Sequence, residues 1–221
     1  MTFSITARDA TSFGIAISSS SPAVAARCVH LRPGVGAVAS QNVTDPALGH
    51  AILHRLEAGV SATDALAVTL AGTRFGAWRQ LAVVGHGGRP AVHTGAKGLG
   101  VTGAVAGTDA VAAGNLLAGA GVPAAMLRTF ETTEGALAER LLAALAAGQA
   151  AGGEAGPVHS AGVAVVRDVA WPIVDLRVDW SDDPVGDLRD LWERFAPQVE
   201  DYVNRARDPE SAPSFGVPGD P

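Results

Sequence analysis

Polar and apolar residues alternate through the first part of the chain. Residues 2–7 and 13–18 each show the period of two that is typical of a β-strand, and a polar segment separates them. Thr2, Ser4 and Thr6 fall on one face of the first strand, because successive side chains point to opposite faces. The pattern predicts a β-hairpin that begins at the N-terminus.

Further strands are predicted where short apolar runs lie between glycine, proline or polar turns. The stretch from residue 95 to residue 107 is rich in glycine and favours no element. Residues 111–119 begin as a strand and end as a loop. The remaining predicted strands are residues 24–29, 34–40, 80–84, 91–94, 161–166 and 173–178.

Two pairs of helices alternate with these strands. In the first pair, Asp45 is an N-cap followed by Pro46, and Ser61 caps the second helix with Asp64 three positions later. The second pair comprises a helix from about residue 123 and another over residues 134–147, and its apolar side chains recur at helical spacing. A last helix follows Asp183, and Pro197 is expected to end or kink it.

The order of elements is strands, helix pair, strands, helix pair, strands, helix. Because each sheet face and helix stripe must be buried, this order predicts stacked layers with the helices outside. Two antiparallel sheets between two helical layers, an αββα sandwich of class α+β, use every segment. We expect one domain over residues 1–206 and a disordered tail over residues 207–221, which is rich in proline, glycine and acidic residues.

Composition and charge narrow the class of protein. The 221 residues are 48% hydrophobic and 17% charged, which is typical of a globular chain with a real core. The net charge of −6 with no basic stripe argues against a nucleic-acid partner.

The N-terminus lacks the pattern of a signal peptide, and no apolar run reaches the length of a membrane span, so the cytoplasm is the expected compartment. The single cysteine, Cys28, is expected to be a small buried side chain.

Thr2 is the candidate nucleophile. Removal of Met1 would place its hydroxyl beside a free α-amine, and a threonine hydroxyl with its own amine as base is a known way to activate a weak nucleophile. Thr2 could equally be an ordinary strand residue. Ser4 lies on the same face and is the alternative nucleophile, although it has no adjacent amine.

Other polar residues lie at the ends of predicted strands. They could line the mouth of a pocket, or they could serve only as caps, turns and structural hydrogen bonds. His50 and His54 are spaced i, i+4 on a helix, but no third ligand is evident, so no metal site is predicted. No full dinucleotide fingerprint occurs, so no cofactor is predicted. The candidate pocket residues are Ser18, Ser20, Gln41, Asn42 and His93.

Seven motifs in order along the chain resemble one protein family. They are residues 2–5 (TFSI), 34–41 (GVGAVASQ), 93–95 (HTG), 114–119 (GNLLAG), 137–142 (LAERLL), 148–153 (GQAAGG) and 174–179 (VDLRVD), followed by Pro184. The chain resembles the proteins grouped as domain of unknown function 1028, which are regarded as relatives of the N-terminal nucleophile hydrolases. The resemblance covers roughly residues 2 to 195. Ala113 stands where family members often carry glutamine, and the stretch 19–22 lacks the basic and aromatic residues often found there.

The resemblance implies a fold, an activity and two roles. It implies the αββα sandwich, with Thr2 as the nucleophile and Asn115, after Gly114, as a donor to the oxyanion. It implies hydrolysis of a C–N amide bond in a small molecule, with no metal or organic cofactor. The alternatives are a non-catalytic metabolite-binding protein on the same fold and a structural or interaction subunit. Because αββα sandwiches often assemble, a homo-oligomer is expected.

Overall fold

The computed structural model of the chain describes residues 2–214 and residue 216. Within them, the strands are β1 (Thr2–Arg8), β2 (Phe13–Ser19), β3 (Val29–Arg32), β4 (Gly36–Asn42), β5 (Arg79–Gly85), β6 (Ala91–Thr94), β7 (Gly103–Ala106), β8 (Ala110–Asn115), β9 (Ser160–Val166) and β10 (Val174–Val178). The α-helices are α1 (Val24–Cys28), α2 (Pro46–Glu57), α3 (Ala62–Ala71), α4 (Val122–Thr132), α5 (Leu137–Ala150), α6 (Pro184–Phe195) and α7 (Val199–Arg207).

The strands form two antiparallel sheets. The larger sheet has the order β10-β9-β2-β1-β8-β7, and the smaller has the order β3-β4-β5-β6. The predicted N-terminal hairpin is confirmed, with Phe3 opposite Ser18. On its other side β1 pairs with β8, where Thr2 lies opposite Asn115. The first strand, β1, is therefore in the middle of the larger sheet.

Three apolar clusters separate four layers. Phe3 and Ile5 point from β1 into a cluster formed with α4 and α5. Ile15 and Ile17 point the opposite way, from β2 into a cluster shared by the two sheets. Leu81 belongs to a third cluster, between the smaller sheet and the helices α2 and α3. This is the αββα sandwich that the order of segments predicts.

The predicted starts of the first helix pair are confirmed. The Asp45 carboxylate accepts a hydrogen bond from Ala47 N at 3.2 Å, which satisfies one free N–H at the start of α2. Ser61 Oγ accepts from Asp64 N at 3.1 Å at the start of α3. Local hydrogen bonds that a sequence pattern can specify thus fix both helix starts.

The prediction of a strand over residues 24–29 is wrong. Residues Val24–Cys28 form the short helix α1, and the strand β3 begins only at Val29. A short apolar run does not distinguish a buried strand from a buried helix. Tertiary contacts decide here, because Ala23 takes a left-handed φ of 51° and Val24 N donates to Ser160 Oγ at 3.2 Å.

The C-terminal region also differs from the prediction. Pro197 lies in a 3-10 turn after α6, as expected for a residue that breaks a helix, but a further helix, α7, follows it. Arg207 is the last residue of α7. Of the predicted disordered tail, residues 215 and 217–221 lie outside the described residues.

Candidate active site

A cluster of polar side chains occupies one end of the layer between the two sheets. Thr2 and Ser4 reach this layer from β1, because they alternate with Phe3 and Ile5, which face the helices. Gln41, Gln80 and Asn115 enter it from β4, β5 and β8. All five side chains are buried. Buried polar side chains at the end of an otherwise apolar layer need hydrogen-bond partners, and we take this cluster as the candidate site.

Hydrogen bonds join these side chains into one network. Ser4 Oγ donates to Gln41 Oε1 at 2.7 Å, and Gln41 Nε2 donates to Gln80 Oε1 at 2.8 Å. Asn115 Nδ2 donates to the same Gln80 Oε1 at 3.1 Å. Gln80 Nε2 donates to the backbone carbonyl of Gly114 at 2.9 Å and to Thr94 Oγ1 at 3.0 Å. Gln80 is therefore the central residue of the network.

The network fixes the orientation of each amide. A backbone carbonyl can only accept, so Gly114 O requires Gln80 to present its Nε2 on that side. Gln80 Oε1 then faces Gln41 and Asn115, and both must donate to it. Asn115 Oδ1 is left buried with no hydrogen-bond partner among the described residues. Asn115 Nδ2 donates one of its two N–H groups to Gln80, so Asn115 presents an acceptor and a second donor, and its oxyanion role stays a prediction.

Thr2 is placed beside Asn115 and Ser19. Thr2 and Asn115 are directly opposite each other on adjacent strands, so their side chains are neighbours on the same face. Thr2 Oγ1 lies 3.5 Å from Ser19 Oγ at the end of β2, and Ser19 Oγ lies 2.9 Å from Ser21 Oγ. Thr2 is 4% exposed. The hydroxyl of Thr2 thus lies in a largely dry environment with hydroxyl and amide neighbours.

A buried carboxylate lies just beyond the start of β1. Glu154 is 5% exposed and forms an isolated antiparallel bridge with Leu117, two residues after Asn115. Its Oε1 accepts from Ser20 N at 3.0 Å, and its Oε2 has no hydrogen-bond partner among the described residues. Burial raises the pKa of the Glu154 carboxyl, while the hydrogen bonds from Ser20 act in the opposite sense. Among the described residues, Asn115 Oδ1 and Glu154 Oε2 are thus two acceptors without a hydrogen-bond partner, at the same end of β1.

The structure brings together only some of the residues predicted to form a pocket. Gln41 is part of the buried network, and Ser20 contacts Glu154. Ser18 lies on the other face of β2, and its Oγ donates to Ser160 O at 3.0 Å. Asn42 turns out of the layer with a φ of 76° and donates to Trp78 O at 2.6 Å.

His93 also lies away from Thr2. It is opposite Leu81 in the register of β6 and β5, and Leu81 faces α2 and α3. Its Nε2 lies 3.0 Å from Gly76 O, which is the structural hydrogen bond that the sequence left as an alternative. The next residue, Thr94, contacts Gln80 in place of His93.

Four residues of the site were missed by sequence reasoning. Gln80 and Thr94 are inward-facing polar residues at the ends of apolar strands, a signal that the sequence does contain. From the sequence, Ser18 and Ser20 are the predicted pocket residues. Along a strand their side chains alternate with that of Ser19, and it is Ser19 that faces Thr2. Glu154 lies in a loop of glycine and alanine, and no local pattern distinguishes it.

The histidines on α2 do not approach the site. His50 packs edge-on against His30, with ring centroids 4.9 Å apart, and His54 Nδ1 lies 3.8 Å from Glu57 Oε2. In the part of the chain that the structure describes, no three His, Cys, Asp or Glu side chains come together as metal ligands. Over the same residues, none of the helices has both the length and the apolar run needed to cross a membrane.

Comparison with known proteins gives a family and a related structure. The model of a family described as "Family of unknown function (DUF1028)" matches residues 2–188. The crystal structure of protein SPO2555 from Silicibacter pomeroyi, attributed to the same family, is 31% identical over 93% of each chain, with a TM-score of 0.83. No curated protein matches the chain.

More distant matches include structures of Anbu. Anbu from Hyphomicrobium sp. strain MC1 is 10% identical, covers 97% of this chain and 100% of that chain, and has a TM-score of 0.44. Anbu (ancestral beta-subunit) from Yersinia bercovieri is 14% identical over 90% and 96% of the two chains, also at 0.44. Similarity at this level says nothing about the chemistry of the site.

Proposed function

The chain belongs to the family of unknown function DUF1028, and from that premise we propose that it is a hydrolase of the N-terminal nucleophile type, which cleaves a C–N amide bond in a small molecule. The observation that carries the proposal is the position of Thr2. Its hydroxyl lies at the start of a central strand, inside the layer between the sheets, among the buried polar side chains. A hydroxyl that served only to complete a strand would not need such surroundings.

The proposed reaction uses both ends of the first residue. Once Met1 is removed, the α-amine of Thr2 takes the proton from Oγ1 while Oγ1 attacks the carbonyl carbon of the substrate. The C–N bond breaks as the leaving nitrogen takes that proton, which leaves an ester between Thr2 and the acyl group. Water then attacks the ester, releases the acid and restores the hydroxyl. Met1 lies outside the described residues, so its removal is part of the proposal.

Asn115 and Ser19 are assigned to substrate positioning. Asn115 Oδ1 is a buried acceptor next to Thr2, so it suits an N–H group of the bound amide. The oxyanion role implied by the resemblance would use the second N–H of Asn115 Nδ2, because the first is bonded to Gln80. The hydroxyl of Ser19, 3.5 Å from Thr2 Oγ1, is a second candidate donor to the developing oxyanion. The substrate is proposed to be a small molecule, and the homo-oligomer expected from the fold stays a prediction.

Thr2→Val tests the proposal, with Thr6→Val as its matched control. Both changes remove a hydroxyl and keep a β-branched shape on the same face of β1. Each protein is first shown by mass spectrometry to begin at residue 2. Thr2→Val should abolish hydrolysis and the covalent intermediate, whereas Thr6→Val should keep both, and Thr2→Ser should keep part of the activity.

Ligand binding separates the proposal from its alternative. A catalytic Thr2 predicts that Thr2→Val binds substrate within about tenfold of the wild-type protein, because the ground-state contacts remain. Full hydrolysis by a Thr2→Val protein that is shown to begin at residue 2 would mean that Thr2 is not the nucleophile. Ser4 would then be the candidate nucleophile. Binding without turnover by the wild-type protein would support a metabolite-binding function on the same fold.

A further inference from the structure

We propose that Glu154 is a positioning residue that holds the α-amine of processed Thr2, an inference that rests on the proposed function. Its side chain would accept a hydrogen bond from this amine through Oε2. The assignment follows from where the segment around Glu154 lies relative to β1.

The segment around Glu154 lies beyond the start of β1. It is flanked by the residues that follow β8 on one side and those that follow β2 on the other. Ala118 N donates to Gly153 O at 3.0 Å, and Ala155 N donates to Leu116 O at 2.9 Å, so this segment runs alongside the residues that follow β8. On the other side, Glu154 Oε1 reaches Ser20 N, just beyond the end of β2. Glu154 therefore spans the gap between the extensions of the two strands that flank β1.

The register fixes how close this segment is to Thr2. Thr2 is opposite Asn115, and Glu154 is opposite Leu117, which is two residues further along. Two strand residues span about 7 Å, a distance that a glutamate side chain and one hydrogen bond together cover. The backbone N of Thr2 lies on this side of the residue, because β1 begins at Thr2 and runs away from Glu154. Removal of Met1 therefore creates the amine on the side of Thr2 that faces Glu154.

The unpartnered oxygen of Glu154 matches the chemistry of that amine. Oε2 is buried and has no donor among the described residues, which is unfavourable for an acceptor that is shielded from water. In the neutral amine of Thr2, one N–H can donate to Oε2 while the lone pair remains available for the proton of Oγ1. When the amine takes that proton, the carboxylate stabilises the resulting ammonium. Glu154 would thus orient the base and strengthen it.

The side chains of two other residues, Ser20 and His159, favour the charged form of Glu154. Ser20 and His159 each lower the pKa of the Glu154 carboxyl, against the effect of burial. The His159 ring stacks on Trp180 at 4.4 Å between centroids, and its Nδ1 lies 3.1 Å from Ser181 O. Neither group occupies Glu154 Oε2, which has no partner among the described residues.

The test measures the pKa of the α-amine directly. The full chain is produced with Thr2 as its first residue by cleavage of an N-terminal fusion. It is then treated with trace acetic anhydride over a series of pH values. Mass spectrometry follows acetylation of the N-terminal peptide, and the exposed Lys97, the one lysine in the sequence, is the internal reference.

The variant is Glu154→Gln, and the matched control is Glu193→Gln on the exposed surface of α6. Loss of a neighbouring carboxylate should lower the pKa of the Thr2 amine by about one unit. The control and Lys97 should be unaffected. A folded Glu154→Gln protein with the amine pKa of the wild type overturns the proposal. If Glu154→Gln does not fold, Glu154→Asp is used; it should lower the amine pKa by a smaller amount, and an unchanged value overturns the proposal.

The measurement also separates this inference from the proposed function. If the amine pKa depends on Glu154 but no amide is hydrolysed, the contact with Glu154 stands and the hydrolase proposal fails. If amides are hydrolysed through Thr2 while the amine pKa is indifferent to Glu154, the hydrolase proposal stands and Glu154 is not the positioning residue.

Discussion

Lowering the pH should destabilise the protein through one buried histidine. His30, on β3, is 6% exposed, and its ring lies so close to Gly49 that a Cβ at that position would be 2.3 Å from the ring. Burial, followed by the charge of His50, lowers the pKa of His30 from 6.5 to about 4, although a hydrogen bond to the Arg27 backbone acts in the opposite sense. Its Nε2 has no hydrogen-bond partner among the described residues, so a proton added there would have no acceptor.

The direction of the pH effect on stability follows from the pKa of His30 in the unfolded chain and in the folded protein. Between about pH 6.5 and pH 4 the unfolded chain binds a proton at His30 that the folded protein does not bind. The stability that depends on neutral His30 is present above pH 6.5 and is lost as the pH falls through this window. At about 1.4 kcal/mol per pH unit, the full loss is about 3.5 kcal/mol. Between about pH 7.5 and about pH 4.5 the expected loss is about 2.5 kcal/mol.

Urea unfolding at a series of pH values measures this contribution. Carboxylates titrate in the same range, so the wild-type protein is compared with His30→Asn, whose amide can still donate to the Arg27 carbonyl. Over this range the wild-type protein should lose about 2.5 kcal/mol more unfolding free energy than His30→Asn. His54→Asn, at a histidine whose side chain is 81% exposed, is the control and should behave like the wild type. Equal losses for all three proteins would refute the reasoning.

Two further predictions concern the layer between the sheets. Thr6→Val should raise the free energy of unfolding by about 1 kcal/mol, because Thr6 Oγ1 is buried with no hydrogen-bond partner among the described residues; a clear loss of stability in urea unfolding would contradict this. Gln80→Leu should lower it by about 3 kcal/mol or more, because Gln41 Nε2 and Asn115 Nδ2 lose their acceptor. A loss below about 1 kcal/mol would show that the network around Gln80 is not formed.

The architecture was predictable because it depends on local signals. Alternation specified the N-terminal hairpin, and Asp45 and Ser61 marked the helix starts through side-chain hydrogen bonds to nearby backbone. The order of these elements then left few ways to bury their apolar faces. The short helix at residues 24–28 was not predictable, because a contact with Ser160, far along the chain, supports its first turn.

The site was only partly predictable, because it depends on which strand faces meet. Period-two alternation shows that His93 and Thr94 point in opposite directions, but it does not show which of them faces the other sheet. The same holds for Ser18 and Ser19 on β2. Glu154 is held beyond the start of β1 by a bridge to Leu117 and a hydrogen bond from Ser20, and neither contact has a sequence pattern.

The most direct test of the proposed hydrolase is the intact mass of the native protein before and after exposure to a set of small amides. The proposal predicts a protein that begins at Thr2 and gains the mass of an acyl group, which peptide mapping places on Thr2 and which water removes with time. A fully active protein that retains Met1 quantitatively, or one that hydrolyses amides with the transient acyl group on another residue, would contradict it.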